Sequence, residues 1–266
     1  MGTLLFVGAG LSGISSLSTA ALEAVSSADA VFIDSYTTLL GSSFASDLGK
    51  AAGRKCELIG REALERGDAL LDAASTGTAV LVVGGDSMSA TTHSSLRIEA
   101  SERGIETRLL FGPSIFTAAP ALLGLHQYKF GRTATLPRFQ PGYRPVSPFR
   151  LIESNMKEGA HTLVLLDVDA EHDYFMSPTE AFSEIIEMGA ELSSVLLGEG
   201  TFCCTVSRAG REDCATRAGR ISRLSGEDFG APPHCIVVPG RLHFKEAEAL
   251  AAFSGAEQLE LVGLTD

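Results

Sequence analysis

A glycine-rich turn follows the first predicted strand, and its spacing matches that of a nucleotide-binding loop. Gly8, Gly10 and Gly13 fit the pattern G-x-G-x-x-G, and Asp34 comes at the end of the next predicted strand. In dinucleotide-binding folds such glycines let the backbone approach a pyrophosphate, and the acid binds a ribose hydroxyl. Glycines also occur wherever a chain turns sharply, so this motif alone does not establish NAD(P) binding.

A second loop carries a different chemistry. Residues 81–93 run from an apolar strand through Gly84, Gly85 and Asp86 into small hydroxylated residues and a predicted helix. Adjacent glycines let a ligand lie against the backbone. A single carboxylate among them repels a pyrophosphate and suits a hydroxyl or a cationic ligand. The alternative is that Asp86 only caps the helix that follows.

Further polar loops lie at the ends of predicted strands. They are Gly112-Pro113-Ser114-Ile115, Gly124–Gly131, Ser207–Gly210, Pro232–His234 and Val238–His243. Ligands bind at such strand ends in open α/β sheets. Together the loops predict a site that several parts of the chain build.

Alternating strands and helices must position these loops. In the first half, hydrophobic periodicity predicts strands at 3–8, 30–33, 56–59, 78–83 and 106–110, with helices at 16–27, 43–52, 62–74 and 91–103. This alternation predicts a mostly parallel, Rossmann-like sheet in an N-terminal domain, residues 1–112.

The second half has longer connections and predicts a mixed sheet in a C-terminal domain, residues 113–266. The predicted strands are 133–136, 162–166, 202–207 and 235–238, and the predicted helices are 114–123, 149–157, 179–188 and 242–253. Ser177 is the predicted N-cap of the third of these helices, and Pro178 stands in its first turn. The predicted fold class is therefore α/β with two α/β domains.

Composition excludes several classes of protein. The 266 residues are 45% hydrophobic, enough for a core, yet no apolar run reaches the roughly 20 residues that span a bilayer. The start lacks the basic region of a signal peptide. With 21 basic and 33 acidic residues, the net charge of -12 argues against direct nucleic-acid binding. Five cysteines without a C-x-x-C pair predict a reduced, cytoplasmic protein and no metal site.

The motifs, taken in order, resemble those of the diphthine synthases, a branch of the tetrapyrrole-methylase-like methyltransferases. The resemblance runs from the first strand to the last helix and is strongest to the archaeal form. It rests on Gly8-Ala-Gly10-Leu11, Tyr36-Thr37, Gly85-Asp86, Ala90-Thr-Thr-His93, Pro113-Ser114-Ile115, Gly124-Leu-His126, Tyr128-Lys-Phe-Gly131, His161-Thr-Leu, Leu166-Asp167, Arg208-Ala-Gly210, Pro233-His234 and Pro239-Gly240-Arg-Leu-His243.

The resemblance implies a specific reaction. Family members transfer methyl groups from S-adenosylmethionine to the amino group of a 3-amino-3-carboxypropyl-histidine on translation elongation factor 2, three times in archaeal members, giving diphthine. It further implies a homodimer and a donor site in the cleft between the domains. Family-type donor contacts fall on Leu11, Asp86, Ser89, Ser114, Ile115, Leu166, Ala209 and His234.

Each methyl transfer requires an amine that has lost its proton. The candidate bases or acceptor-positioning groups are His93, His126, Tyr36 and Asp167, and for each the alternative is a structural hydrogen bond. Other titratable residues are given structural roles. His172 is predicted at the surface, His161, Cys56 and Met88 in packing, and Glu171, Asp173, Glu184 and Glu187 on an exposed acidic face.

Two positions depart from the family pattern. Ala9 stands where leucine is common, and Ser87 stands where proline usually follows the aspartate, which loosens the turn that presents Asp86. Three alternatives compete with the family function: a tetrapyrrole (precorrin) methyltransferase, an NAD(P)-binding oxidoreductase and a non-enzymatic binding module. The segments Ala90–His93 and Tyr128–Gly131 favour the protein-modifying branch over the first.

Overall fold

A computed structural model describes residues 2–36, 39–40 and 43–265, with the side chain of Glu171 left out. Thr37 of the Tyr36-Thr37 motif lies outside the described residues. The chain divides into two compact units. The first comprises the residues up to Ile115 together with the short segment Asp169–Tyr174, and the second comprises Phe116–Val168 and the residues from Phe175 onward. The predicted division after residue 112 lies just before this boundary.

The first unit is built on a parallel sheet. Its strands are β1 (Thr3–Gly8), β2 (Ala30–Asp34), β3 (Glu57–Ile59), β4 (Thr78–Val83) and β5 (Glu106–Leu110). They lie in the order β3-β2-β4-β1-β5, and every neighbouring pair is parallel. Parallel strands bring all their carboxyl ends to one edge, so the loops that follow them meet there.

Helices cover both faces of this sheet. They are α1 (Thr19–Ser27), α2 (Phe44–Ala52), α3 (Arg61–Arg66), α4 (Asp68–Thr76) and α5 (His93–Glu102). Leu4 and Phe6 of β1 pack in a core with α3, α4 and α5, whereas Val7 packs in a second core with α1 and α2. This alternation follows from the two-residue period of a strand.

The predicted helix at 62–74 is in fact two helices. Gly67 lies between α3 and α4 with a φ of 69°, the left-handed region that favours glycine. Helical periodicity continues across the break, because residues of both helices face the same core. The pattern therefore predicted helical structure in this segment but not the interruption.

The second unit contains the predicted mixed sheet. Its strands are β6 (Ala134–Leu136), β7 (Thr162–Leu166), β10 (Phe202–Ser207), β11 (Ala215–Arg220) and β12 (His234–Val238), in the order β11-β10-β12-β7-β6. Only β6 and β7 run parallel to each other. A small ribbon pairs β8 (Val168–Asp169) with β9 (Tyr174–Phe175). The predicted α/β class, with one parallel and one mixed sheet, is confirmed.

Six helices accompany the second sheet in the described residues. They are α6 (Ile115–Leu123), α7 (Ser147–Lys157), α8 (Pro178–Glu191), α9 (Ile221–Leu224), α10 (Phe244–Ser254) and α11 (Gln258–Leu261). Ser177 caps α8 as predicted, because its side chain accepts a hydrogen bond from the Glu180 N–H at 3.1 Å. β11 escaped prediction: its sequence, Ala-Thr-Arg-Ala-Gly-Arg, has little apolar alternation, and its pairing with β10 positions it.

Three loops at the carboxyl edge of the parallel sheet touch through bare backbone. The Gly10 N–H donates to the Gly85 carbonyl at 3.0 Å, and the Gly85 N–H donates back to Gly10 at 2.8 Å. A Cβ on Gly8 would lie 2.5 Å from the Gly112 nitrogen and 2.7 Å from the Gly85 oxygen. Any side chain at Gly8 therefore forces the loops apart.

We expect Gly8→Ala to lower the free energy of unfolding by roughly 1–3 kcal/mol, the usual cost of overpacking. Urea denaturation measures the change. Gly226→Ala is the matched control, because the nearest atom to its added Cβ is 3.9 Å away. Equal stability of the two variants would contradict the close contact at Gly8.

Candidate functional site

The five donor contacts predicted in the first unit lie at three neighbouring strand ends. Leu11 follows β1, Asp86 and Ser89 follow β4, and Ser114 and Ile115 follow β5. The strands are adjacent in the order β4-β1-β5, and the glycine contacts join their loops. The structure thus brings these five residues, distant in sequence, to one edge of the sheet.

Asp86 shapes its own loop. Its Oδ1 accepts a hydrogen bond from the Met88 N–H at 3.0 Å and another from the Ser89 hydroxyl at 3.1 Å. Both bonds close a tight turn of the kind that aspartate favours. The Asp86 carboxylate is half-buried at the sheet edge. Among the described residues, Oδ1 is the carboxylate oxygen that accepts these two hydrogen bonds. Asp86 therefore stabilises its own turn through two hydrogen bonds and also places a carboxylate at the edge of the sheet.

The first glycine loop lacks the geometry of a dinucleotide site. Gly13 opens a short 3₁₀ turn, Gly13–Ser16, and α1 begins only at Thr19 after its N-cap Ser18. In a dinucleotide fold the pyrophosphate binds at the helix that follows the loop directly, and the first two strands are neighbours. Here β4 separates β1 from β2.

Asp34, the acid of the dinucleotide pattern, is turned away from solvent. It is 1% exposed, its Oδ1 accepts the Tyr36 N–H at 2.8 Å, and its Oδ2 lies 3.7 Å from Nε2 of His93. A buried carboxylate cannot bind the hydroxyls of a ribose. The observed geometry therefore argues against the NAD(P)-binding alternative.

The three donor contacts predicted in the second unit also share one edge. Leu166 ends β7 and His234 begins β12, next to it in the antiparallel register, while Ala209 lies just beyond the end of β10. His234 pairs with Ser207 of β10, and its Nδ1 lies 2.9 Å from the Ser207 hydroxyl. A cavity of about 190 Å³ opens beside Ser207.

Arg208 holds the loops at this edge. Its guanidinium donates to the Phe229 carbonyl at 2.8 Å and to the Ala231 carbonyl at 2.6 Å, and it pairs with Asp213 at 2.6 Å. Burial, together with the nearby charge of Arg208, lowers the pKa of His234 to about 4. His234 is therefore a neutral imidazole at physiological pH.

Two candidate bases belong to the first unit. His93 is completely buried, and its Nδ1 lies 2.8 Å from the Ser87 carbonyl. Tyr36 is half-buried beyond β2, with the Arg61 guanidinium 4.9 Å from its ring centroid. His93 therefore lies beneath the Asp86 loop, whereas Tyr36 follows β2, which β4 separates from β1.

Asp167 follows the proposed donor contact Leu166 directly. Its Oδ2 accepts the Arg138 N–H at 2.9 Å. Glu184 on α8 accepts the N–H of the next residue, Phe139, at 2.9 Å. These two carboxylates together fix the start of the proline-rich loop at 137–148.

Glu184 corrects a prediction, because it is buried instead of lying on an exposed acidic face. Burial and the neighbouring carboxylates outweigh the Phe139 hydrogen bond and raise its pKa to about 7. Helical periodicity places Glu184 between Ala181 and Met188 on the inner face of α8, which the sequence analysis overlooked. Asp173 and Glu187 are exposed as predicted, and the side chain of Glu171 lies outside the described part.

His126 lies at the opposite edge of the second sheet. Its N–H donates to Glu246 at 2.7 Å, and Glu246 also binds Nε2 of His161, which precedes β7, at 3.0 Å. Five residue steps of about 3.3 Å separate His161 from the Leu166 end of β7, a distance of about 17 Å. The structure therefore separates His126 from the three predicted donor contacts of its own unit.

Glu246 joins the motif segments at that edge, and the sequence analysis missed it. Its Oε2 accepts hydrogen bonds from the Lys129 ammonium at 2.7 Å and from the His243 N–H at 2.8 Å. Burial alone would raise its pKa, but the bonds from Lys129, His126, His243 and His161 lower it to about 2. The detectable signal was the capping box of α10, with Glu246 three residues after His243.

The remaining structural assignments agree with the sequence analysis. His172 is exposed and bonds to Asp169 at 2.7 Å, His161 is buried, and Met88 packs partly buried in the first core.

In the described part of the chain no group of three or more His, Cys, Asp or Glu side chains is placed to hold a metal ion. No helix there is long and apolar enough to cross a membrane.

Known proteins are similar to this chain in sequence and in fold. The family model of the tetrapyrrole (corrin/porphyrin) methylases matches residues 3–225. A diphthine synthase of Methanothermobacter thermautotrophicus is 39% identical over 95% of this chain and 96% of its own length. One of Methanosphaerula palustris is 38% identical over 95% and 98%. A crystal structure of diphthine synthase superposes with a TM-score of 0.87 at 34% identity, covering 97% of this chain and 98% of that protein.

Glu246→Gln should lower the free energy of unfolding by roughly 1.5–3 kcal/mol at pH 7, because it weakens the hydrogen bonds of a buried carboxylate and removes the counter-charge of the half-buried Lys129 ammonium. The native pKa lies below the ordinary value of 4.5, so this stabilisation is present above about pH 4.5 and is lost as the pH falls towards 2. Urea denaturation at several pH values measures the difference between wild type and variant.

The matched control is Glu248→Gln on the same helix. Glu248 pairs with Lys245 at 2.6 Å, but both side chains are 60% exposed. An exposed pair contributes at most about 1 kcal/mol. If the two variants lose equal stability, or if the Glu246 effect persists at pH 2, Glu246 is not the charged centre of this edge.

Proposed function

The chain belongs to the diphthine synthase family within the tetrapyrrole (corrin/porphyrin) methylases, and from this premise we propose how its described residues act. It is an S-adenosylmethionine-dependent methyltransferase of diphthamide biosynthesis. The curated relatives are diphthine synthases over almost their whole length, so a tetrapyrrole acceptor is not favoured. One structural observation supports the donor proposal best. Three glycine loops meet at the carboxyl edge of the parallel sheet, and Asp86 lies at that edge.

The proposed acceptor is the amino group of the 3-amino-3-carboxypropyl-histidine on translation elongation factor 2. Three successive N-methylations then give diphthine. Homodimer formation, a cytoplasmic location and the absence of direct nucleic-acid binding are part of the same proposal. They follow from the resemblance and from the net charge of -12, which disfavours phosphate-rich partners.

The residues at the edge of the first sheet suit the polar groups of the donor. The half-buried Asp86 carboxylate can accept hydrogen bonds from hydroxyl or amino groups. Ser114 precedes α6, and the positive end of that helix dipole favours a negatively charged group such as a carboxylate. Leu11, Ser89 and Ile115 complete the proposed contacts in this unit.

In the second unit, Leu166, Ala209 and His234 are the proposed donor contacts. S-adenosylmethionine supplies a methyl group on a positively charged sulfonium. The low pKa of His234 keeps this imidazole neutral at physiological pH, so it adds no repulsion towards a cation. The guanidinium of Arg208 donates to two loop carbonyls and pairs with the Asp213 carboxylate, so loop residues compensate its positive charge.

Orientation is the main contribution that the protein has to make. Attack of an uncharged amine on a methyl sulfonium needs no covalent intermediate, and correct positioning supplies up to about 7–11 kcal/mol. We propose Asp167 as the group that receives the amine proton. It follows Leu166, whereas His93 is completely buried and His126 lies at the other edge of the sheet.

The acceptor is tested by mass spectrometry of elongation factor 2. The factor carrying the unmethylated histidine adduct is incubated with the protein and S-adenosylmethionine. We expect mass increments of up to three methyl groups on the modified histidine. His172→Ala, at an exposed position, should give the same increments, and a factor that gains no methyl group would contradict the proposed acceptor.

The donor site is tested at Asp86. Calorimetry should show that Asp86→Ala weakens binding of S-adenosylhomocysteine by roughly 10–100-fold, the effect of losing a hydrogen bond to a charged group. Asp86→Asn keeps an oxygen for the Met88 and Ser89 bonds and thus separates the turn from the charge. Asp72→Ala, at an exposed residue of the same unit, is the control. Unchanged affinity of both Asp86 variants would remove Asp86 from the site.

A further inference from the structure

We propose that His93 is a positioning residue that sets where the Asp86 carboxylate stands and thereby controls donor affinity. The inference deepens the proposed function, since it rests on Asp86 as a donor contact. It gives His93 a role without contact to the acceptor amine.

The tautomer of His93 follows from its partner. Nδ1 lies 2.8 Å from the Ser87 carbonyl oxygen. A carbonyl oxygen only accepts hydrogen bonds, so Nδ1 must carry a proton and donate it. Ser87 follows Asp86 directly in the chain. The bond therefore ties the backbone beside Asp86 to His93, the first residue of α5.

The loop is held at both of its ends. Gly85 is bonded to Gly10 before Asp86, and the Ser87 carbonyl accepts from His93 and from the Thr91 hydroxyl at 3.1 Å after it. Serine does not restrict the backbone as proline does, so this end of the loop depends on the two hydrogen bonds that the Ser87 carbonyl accepts. His93 donates the shorter of the two.

Asp34 faces the other side of the imidazole. Its Oδ2 lies 3.7 Å from Nε2 of His93, and neither side chain is exposed to solvent. Nε2 has no hydrogen-bond partner within the described residues. At this distance Oδ2 forms no hydrogen bond with Nε2, and an Nε2 without a proton offers it no donor. The bond from Nδ1 to the Ser87 carbonyl is therefore the hydrogen bond that fixes the orientation of the ring.

Burial cost supports the positioning role. An unpaired buried nitrogen is unfavourable, whereas an apolar side chain would fill the same space beside Phe6 without that cost. Histidine at this position is therefore not explained by packing. The bond to the Ser87 carbonyl supplies a reason for it. With no exposed atom, His93 has no route to the substrate amine.

The test compares two substitutions in the full-length protein. His93→Asn places an amide N–H near the position of Nδ1, whereas His93→Leu fills the space without a donor. We expect His93→Leu to raise the Kd for S-adenosylhomocysteine at least tenfold and to raise KM for the donor more than it lowers kcat. His93→Asn should stay within about threefold of wild type. His172→Leu, at an exposed histidine of the same unit, is the control.

The outcomes separate the inference from the proposed function. If wild type does not bind S-adenosylhomocysteine, the donor assignment fails and this inference falls with it. If Asp86→Ala loses affinity while a folded His93→Leu binds as wild type does, the inference fails alone. Equal losses in the Asn and Leu variants would also overturn it, because the donated bond would not be the cause.

A measurement on wild type covers the case in which His93→Leu does not fold. Nitrogen-15 NMR of labelled histidine reports which ring nitrogen carries a proton. We expect His93 to show a protonated Nδ1, with ring resonances that shift when S-adenosylhomocysteine is added. An unprotonated Nδ1, or resonances that do not respond to the ligand while the ligand binds, would overturn the inference.

Discussion

Backbone contact between glycines fixes the geometry of the first unit. Gly10 and Gly85 exchange two hydrogen bonds, and Gly8 lies so close to Gly112 that no Cβ fits between them. Three loops that leave neighbouring strands are thereby held against one another. Asp86 comes next in the chain after one of these contacts, so its place at the sheet edge depends on residues that have no side chain.

The second unit uses charge where the first uses bare backbone. At one edge of its sheet, Glu246 pairs with the Lys129 ammonium and accepts hydrogen bonds from the backbone N–H groups of His126 and His243. At the other edge stand Leu166, Asp167 and His234. The family motifs of this unit therefore divide into two groups. Those around Glu246 hold the fold, and those at the far edge are the proposed binding residues.

Sequence reasoning predicted the elements well because most of them depend on local pattern. The buried strand Thr78–Val83 and the helix after Ser177 follow from apolar periodicity and capping alone. β11 does not, since its sequence has little apolar alternation and its position comes from pairing with β10. Neither does the strand order that separates Asp34 from the first glycine loop, because order is a property of the whole sheet.

The site was predictable only in part for the same reason. The motifs indicated which loops matter, but spacing in sequence does not show burial. His93 and His126 were therefore equal candidates for a base, although one is buried under a loop and the other lies at the sheet edge opposite the proposed donor contacts. Glu184 and Glu246 did carry local signals, the inner face of α8 and the capping box of α10, but the partners that hold each carboxylate come from distant parts of the chain and are visible only in the fold.

Hydrogen exchange with and without ligand tests the central claim most directly, namely that the glycine loops of the first unit bind the methyl donor. We predict that S-adenosylhomocysteine slows exchange in peptides covering Gly84–Ser89 and Gly112–Ile115, and that NADH at the same concentration leaves both unchanged. Protection by NADH, or protection by S-adenosylhomocysteine only outside these loops, would contradict the account.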